Sequence, residues 1–448
     1  MIRVTLVAGA AALAWAAGPA VATAQESLPL EEAVRRALAS HPSVGAAAAR
    51  SEGAEAVGGV ARSAWYPSLS VSATGTRFEE PMLVAPLHGF EFTTPPAFDR
   101  TILRGDLDLR WTLFEGGARS SRIEAADARA GSAAARAEAA RQDLAARVVG
   151  SYTQLLWRRE ARAAQQARLE ALLAERDRVS RLLAEGRAPE VERFRAEAAI
   201  ARAEADLAEL DAATLAGTHE LARLVGVDGG ALPLESLRPV GLMTPDPGPA
   251  ATGRVSSSDS GAPELESARS QLRAAEAERN VAAAAWLPRL LLSGGLRSYG
   301  SGEGDFTAEW QGGIGVEYPL FTGFARSREV AAARAEETAA REDLRATELA
   351  MADRADRAIE AVRGAAASAD ALASAERHLA EVVRIERLSL VQGAGVQTDY
   401  LQAEAELAET RAARARAVNL HVAARAELAR ARGELTPEWI RRNLESLP

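Results

Sequence analysis

Residues 111–120 read WTLFEGGARS, and the pattern returns further along as YPLFTGFARS at 318–327. Each stretch ends an alternation of apolar and polar residues and opens a long alanine-rich run. A chain that changes period this way twice is a duplicated chain. LFEGGARS from Leu113 and LFTGFARS from Leu320 lie 207 residues apart, and Gly186 with Gly393 and Gly226 with Gly433 keep that spacing. Upstream the spacing is 221, carried by AWYPS at 64–68 against AWLPR at 285–289 and by Pro42-Ser43-Val44 against Pro263-Glu264-Leu265. The copies therefore differ by 14 residues placed between Pro67 and Trp111, and an insertion confined to one place marks a loop.

Working outward from the repeated stretch, Leu107, Leu109, Trp111 and Leu113 alternate with Asp106, Asp108, Arg110 and Thr112, and Leu69, Val71 and Ala73 alternate with Ser70, Ser72 and Thr74. In the second copy Ile314, Val316, Tyr318 and Leu320 alternate with Gly313, Gly315 and Glu317, and 289–296 is a leucine-rich run. This period predicts four strands in two hairpins, about 66–114 and 287–321, each apolar on one face. Strands of about ten residues with this pattern suit a membrane barrel; a soluble antiparallel sheet lying on a core has the same alternation.

Downstream of each hairpin the period becomes helical. No proline interrupts Gly117 to Glu185, and apolar residues recur at three- and four-residue steps. A helix of nearly seventy residues is ~100 Å long. Turns near Gly186 to Pro189 and at Gly393 to Gly395 reverse the chain, giving long helix pairs over 117–226 and 324–432. Shorter helices over 42–63 and 263–285 lead into the strands. The organisation expected is a first repeat over 25–237, a connector over 238–262 rich in Pro, Gly, Ser and Thr, a second repeat over 263–433 and a C-terminal segment over 434–448. The fold class is mainly α with membrane β.

Composition agrees. The chain has 448 residues, 26% of them charged and 5% aromatic, which suits long helices better than several compact cores. All 53 basic residues are arginine, and the net charge of −9 is spread without an acidic or basic tail, so nothing here attracts nucleic acid. There is no cysteine, hence no disulfide, thiolate metal site or lipid-modified N-terminal cysteine. Arg3, the apolar run Val4 to Ala17 and the small residues Ala22 and Ala24 before Gln25 read as a secretory signal over 1–24. That run is shorter than the ~20 residues of a spanning helix, so entry into a bilayer falls to the strands. His41, His88, His219, His378 and His421 are scattered. We read no metal site, no cofactor site and no catalytic constellation.

Four strands do not close a barrel, since hydrocarbon tolerates no open sheet edge. Two chains would supply eight strands, too narrow for a water passage, and three would supply twelve. Helices of this length carry charge throughout and must project into an aqueous compartment.

The opening LPLEEAVRRALASHP, the helix end AWYPSLSVSA, the two strand-to-helix junctions and the turn QGAGVQTDYLQAEAEL resemble the TolC-like outer-membrane efflux proteins over essentially the whole mature chain. The resemblance implies a homotrimer with a 12-stranded barrel in the outer membrane and a 12-helix periplasmic tunnel. It also implies a passive export duct for efflux or type I secretion, docked to a periplasmic adaptor (membrane fusion) protein and an inner-membrane pump. The competing reading is a periplasmic structural coiled coil or an adaptor, which carries one helical hairpin between small β-domains rather than two alternating with two strand hairpins.

The resemblance also assigns residues. Family tips read roughly Arg-Leu-Ser, then glycine, then an acidic residue six positions on; Arg387, Leu388, Ser389, Gly393 and Asp399 match, as do Arg181, Leu182, Gly186 and Glu192 more loosely. They are candidates for adaptor docking, beside the plain role of glycines that end helices. Asp399 and Glu192 are candidates for acidic rings at the tunnel mouth; Gln402 stands where some relatives carry a further aspartate. Gly116, Gly117 and Gly323 are expected to turn strand into helix. Trp65, Trp111, Trp286 and Tyr318 suit an aromatic girdle at the lipid interface, or core aromatics under a soluble sheet. The phenylalanine-rich loop from Arg77 to Arg100 is expected at the outer hairpin tip.

Overall fold

A computed structural model describes residues 27–87, 95–227, 230–243 and 261–446. The secretory signal, His88, Phe90 and Phe92 lie outside the described residues. In chain order the elements are α1 (Leu30–Ser40), α2 (Pro42–Ser63), β1 (Ser68–Leu83), β2 (Phe98–Phe114), α3 (Ala118–Ala184) and α4 (Glu190–Leu224). After a 3-10 turn at Leu234–Ser236 come β3 (Val240–Leu242), α5 (Pro263–Ala284), β4 (Arg289–Ser301), β5 (Phe306–Glu317), α6 (Ala325–Val391), α7 (Gln397–Ala431), α8 (Pro437–Asn443) and β6 (Leu444–Ser446).

Local chemistry sets these limits. Pro42 and Pro263 open α2 and α5, where a missing N–H costs nothing because the first turn has no acceptor for it. The ring of His41 caps α2 by accepting the Ser43 N–H at 3.2 Å. The two 67-residue helices α3 and α6 run unbroken because alanine, leucine, arginine and glutamate lose little side-chain freedom in a helix.

The helices pack side by side around α3. α2 and α4 lie along one side of α3, α5 and α7 along the other, and α6 packs against the far side of α5 and α7. α3 is therefore flanked twice and α6 chiefly once. Of equal length, α3 buries 21 residues and α6 buries 9.

At the helical end next to α2 and α5, the strands make one antiparallel sheet in the order β1-β2-β4-β5. The hairpins join through β2 and β4, with Leu107 opposite Leu296 and Trp111 opposite Leu292. β1 and β5 are the open edges. The strands run further than the sequence suggests: β1 continues to Leu83 with a register shift between Arg77 and Met82, so the loop expected over Arg77–Arg100 is shorter. Arg77 and Phe78 are strand residues because the bulge absorbs the charged Glu79-Glu80 pair without ending the pairing.

Mid-way down α3, a cluster built on Leu144, Val148, Tyr152, Leu155 and Leu156 gathers Leu30 and Val34 of α1, Leu221 of α4, Val422 of α7 and Ile440 of α8. Two further segments join this cluster. The start of the 238–262 connector is ordered, since Val240–Leu242 pairs with Leu444–Ser446, and the rest of it, 244–260, lies outside the described residues. The 434–448 segment is structural too, because Leu435 and Ile440 are each 1% exposed in this cluster. Three-residue strands and a seven-residue helix carry too few residues to display a period.

Tyr152 ties the cluster together. Fully buried, its hydroxyl donates to the Leu28 carbonyl at 2.8 Å and accepts the Arg238 N–H at 2.7 Å. Burial pushes the phenol from 10.0 up to about 12. The fold therefore keeps a proton that the unfolded chain releases first as pH rises, so this contribution is full below pH 10 and lost between 10 and about 12. Tyr152→Phe should cost about 1–3 kcal/mol at neutral pH by stranding two buried backbone groups. It should also flatten that alkaline loss, read as melting temperature against pH; an unchanged profile would mean Tyr152 is not the group responsible.

Candidate functional site

The sheet register sorts side chains into two faces. One presents Leu69, Val71 and Ala73 of β1, Leu103, Leu107, Leu109 and Trp111 of β2, Leu290, Leu292 and Leu296 of β4, and Trp310, Ile314 and Val316 of β5. The other presents Ser70, Ser72 and Thr74, then Arg104, Asp106, Asp108 and Arg110, then Ser293, Arg297 and Tyr299, then Thr307, Glu309 and Gln311. Among the described residues nothing covers the outer strands' share of the apolar face: Val71 is 80% exposed, Trp310 83% and Val316 71%. A soluble sheet buries that face, so its only suitable medium is lipid. On the polar face Asp106 lies between Arg104 at 3.0 Å and Arg297 at 3.6 Å, and Arg104 covers the Tyr299 ring at 5.6 Å. Asp106 thus bridges β2 and β4 on this face through two guanidiniums.

The strand-to-helix junctions repeat one construction. Gly116 (φ 64) and Gly117 (φ 87) turn β2 into α3; Gly323 (φ 60) and Phe324 (φ 68) turn β5 into α6. A side chain at Gly116 would meet the Leu287 Cβ at 2.8 Å as well as adopting a left-handed backbone, so only glycine fits. Phe324 accepts that backbone at a cost of ~1–2 kcal/mol and stays exposed beside Phe321, ring edge to face at 5.5 Å.

Sequence reasoning singled out the glycines and aromatics here and missed the arginines that join them. Arg119 is buried, stacks 4.6 Å over the Trp65 ring and donates to the Thr112 carbonyl. Arg326 in the second copy stacks 4.6 Å over Trp286 and 5.7 Å over Tyr318 and donates to the Pro319 carbonyl at 2.6 Å. Each guanidinium thus pins the end of a strand to the end of the preceding short helix. The signal was present, since Ala-Arg-Ser is identical in both copies. Trp111 belongs to the first junction, its indole donating to the Trp65 carbonyl at 3.0 Å. Trp65, Trp286 and Tyr318 remain about half exposed, so each combines a structural contact with an outward surface.

The far ends of the helix pairs are the tips. Gly186 (φ 69) and Gly393 (φ 76) end α3 and α6 in the same left-handed cap, with Arg187 N–H on the Leu182 carbonyl at 2.8 Å and Ala394 N–H on the Ser389 carbonyl at 2.9 Å. Arg181, Arg387 and Leu388 are exposed, while Leu182 and Ser389 are half-buried. Glu192 and Asp399 occupy the third position of α4 and α7, where a carboxylate meets the positive end of the helix dipole. Asp399 is exposed and Glu192 half-buried. Gln402 is occupied with Glu406 at 2.9 Å.

Behind the tips sits a network that sequence reasoning did not name. Buried Glu175 accepts both arms of Arg178 at 2.7 and 2.8 Å and the Gln397 amide at 3.2 Å, linking α3 of one repeat to α7 of the other. Tyr400 lies alongside, its hydroxyl donating to Glu404 at 3.0 Å and held above its ordinary range by burial and that carboxylate. Among the described residues no group of three His, Cys, Asp or Glu is placed to hold a metal ion, and no helix is long and apolar enough to cross a membrane.

The family model described as outer membrane efflux protein matches residues 33–227 and 255–434. Protein CyaE of Bordetella pertussis is 29% identical over 345 residues, covering 73% of this chain and 67% of that protein. The outer membrane protein VceC of Vibrio cholerae superposes with a TM-score of 0.76 at 19% identity over 90% of this chain and 96% of that one. The CmeC outer membrane channel of Campylobacter jejuni gives 0.78 at 18% identity over 91% and 86%. The helix layer, the two-faced sheet at its end and a family match across both repeats lead to one assignment: the chain belongs to the outer membrane efflux protein family, whose members are passive channels of the outer membrane rather than enzymes.

Proposed function

We propose that three copies of this chain form a passive duct that carries solute from an inner-membrane pump, through the periplasm, to the cell exterior. The observation that carries the reading is the sheet, apolar and exposed on one face, polar on the other, and open at both edges. Three copies supply twelve strands and close a wall with lipid outside and water inside. The helix layer continues that wall as a tunnel of about 100 Å, set by two 67-residue helices.

The tips are the proposed docking surface for a periplasmic adaptor protein that couples the duct to the pump. Both present a glycine-capped turn with exposed arginine, Arg181 and Arg387, and the second adds exposed Leu388 and Val391, 50% and 69% accessible. Glu192 and Asp399 follow immediately, so three copies place six carboxylates around the entrance, a charge that favours cations. Trp65, Trp111, Trp286 and Tyr318 form the aromatic level at the inner lipid boundary. A wide water-filled duct selects its cargo weakly, which leaves specificity to the pump.

The mature protein, extracted from the outer-membrane fraction in detergent, should have the native mass of three chains and form ohmic channels in planar bilayers. A monomer soluble without detergent would reject the duct. At the tip, Gly393→Ala gains a side chain that meets nothing, and its cost is the ~1–2 kcal/mol of a left-handed alanine. It should leave channel mass and conductance intact while weakening co-purification with the adaptor; undiminished adaptor binding would move docking elsewhere. Asp399→Ala should lower the cation preference of the conductance, and unaltered selectivity would remove the acidic ring.

A further inference from the structure

Between the Tyr152 belt and the tips, α3, α6 and α7 together line a cavity of about 320 Å³. Ala164, Ala167 and Ala171 of α3 and Ala408 of α7 form much of its wall, so small side chains leave open a seam that longer ones would fill. Four guanidiniums share this space, those of Arg168 of α3, Arg384 and Arg387 of α6 and Arg411 of α7. The one carboxylate in the lining is Glu404, and it already accepts the Tyr400 hydroxyl at 3.0 Å.

Arg168 is the informative member. The residue is only 9% exposed, and its Nε–H has no acceptor among the described residues. Its carboxylate partner Asp206 lies 3.5 Å from Nη1 and is held more closely by the Gln165 amide, at 2.7 Å. A guanidinium taken out of water on one long contact is costly, and a further acceptor offsets that cost. Arg384 is matched by Glu381 at 2.6 Å, while Arg411 shares Glu376 with Arg414. Arg387 has no ion-pair partner among the described residues. The cavity therefore holds more cationic donors than the surrounding carboxylates satisfy.

The duplication shows that these arginines are not a general need of helix packing. α3 matches α6 in length and α4 matches α7, so the 207-residue offset runs through them without a gap. It relates Arg168 to Ala375, Arg384 to Asp177, Arg387 to Ser180 and Arg411 to Glu204. Where one seam gathers four guanidiniums, the equivalent positions hold none and carry two carboxylates instead.

We propose that this cavity binds a small phosphate-class oxyanion, which bridges α3 of the first repeat to α6 and α7 of the second. Guanidinium N–H donors match phosphate oxygens in geometry and charge, and donors arriving from three helices can surround such an anion. The volume lies at the lower end of the ~300–1,000 Å³ of small-ligand sites, which suits a phosphate or diphosphate. Arg168 stands 50 residues along α3 from Ala118, about 75 Å from the strands, so a membrane headgroup does not reach it and the ligand is a free solute. All four arginines belong to one chain, so the site is complete in each copy and needs no neighbour. A bound anion couples the two helix pairs, as the bond from Gln397 to Glu175 does nearer the tip.

The test uses the mature protein in detergent and inorganic diphosphate as the probe, at constant ionic strength set with sodium chloride. Equilibrium dialysis should show saturable binding of one diphosphate per chain, and hydrogen exchange on binding should slow over 160–175 and 400–415. Arg168→Gln and the half-buried Arg411→Gln should each weaken binding about tenfold through loss of a charge-assisted hydrogen bond. Arg357→Gln, which removes the same charge from α6 outside the cavity, should leave binding unchanged. If Arg168→Gln does not assemble, Arg411→Gln against Arg357→Gln carries the comparison. No saturable binding to the wild type, binding untouched by the cavity variants, or an equal loss in Arg357→Gln would overturn the site. Native mass measured on the same samples keeps the duct separate, since a trimer that binds no diphosphate refutes the site alone.

Discussion

The structure depends on one constraint: a four-stranded sheet whose apolar face is bare and whose two edges are open is not stable alone in hydrocarbon. Each unpaired N–H or C=O there costs several kcal/mol, and β1 and β5 each carry a full row of them. Closure through further copies is the remedy that satisfies every edge group at once. A wall made that way is apolar outside and polar inside because side chains alternate, so the aqueous passage follows from the same period that makes the wall. The Asp106 cluster shows how charge is held on the inner face: one carboxylate is shared by the guanidiniums of Arg104 and Arg297.

Closure must then be handed to the helices without a break. Strands lie ~4.8 Å apart and packed helices ~8–10 Å apart, so a layer of four strands cannot simply continue as four helices of the same width. The junctions resolve the mismatch with left-handed turns at Gly116-Gly117 and Gly323-Phe324, held by Arg119 on Trp65 and Arg326 on Trp286. Down the helices, small residues allow close approach, as where the hydroxyls of Ser132 and Ser267 meet at 2.9 Å inside the α3–α5 seam. The belt around Tyr152 braces the layer at mid-height, and the Glu175 network locks it near the tips.

Much of this was legible in the sequence because it is written twice. The offsets of 207 and 221 located the hairpins and the long helices, and the alternation at Leu107, Leu109 and Trp111 against Asp106, Asp108 and Arg110 identified the two faces. What escaped has a common physical cause. α8, β3 and β6 are too short to show a period, and their burial in the Tyr152 belt depends on chain segments hundreds of residues apart. The same distance hid the bond from Gln397 to Glu175. Arg119 and Arg326 do not stand out in a chain with 53 arginines and no lysine, because only the ring partner brought up by the fold distinguishes them. The strand continuing beyond Arg77 is hidden in the sequence because a bulged strand does not keep a strict period of two.

The central claim is that the apolar face of the sheet meets lipid while its other face meets water. The most direct measurement is the accessibility of spin labels placed singly at Val71, Ser72, Ala73 and Thr74 in reconstituted bilayers, using oxygen as the lipid-soluble and a nickel chelate as the water-soluble relaxation agent. The account predicts accessibility that alternates residue by residue, oxygen dominating at 71 and 73 and the chelate at 72 and 74. Labels equally open to the chelate at all four positions would contradict it and place the sheet in water.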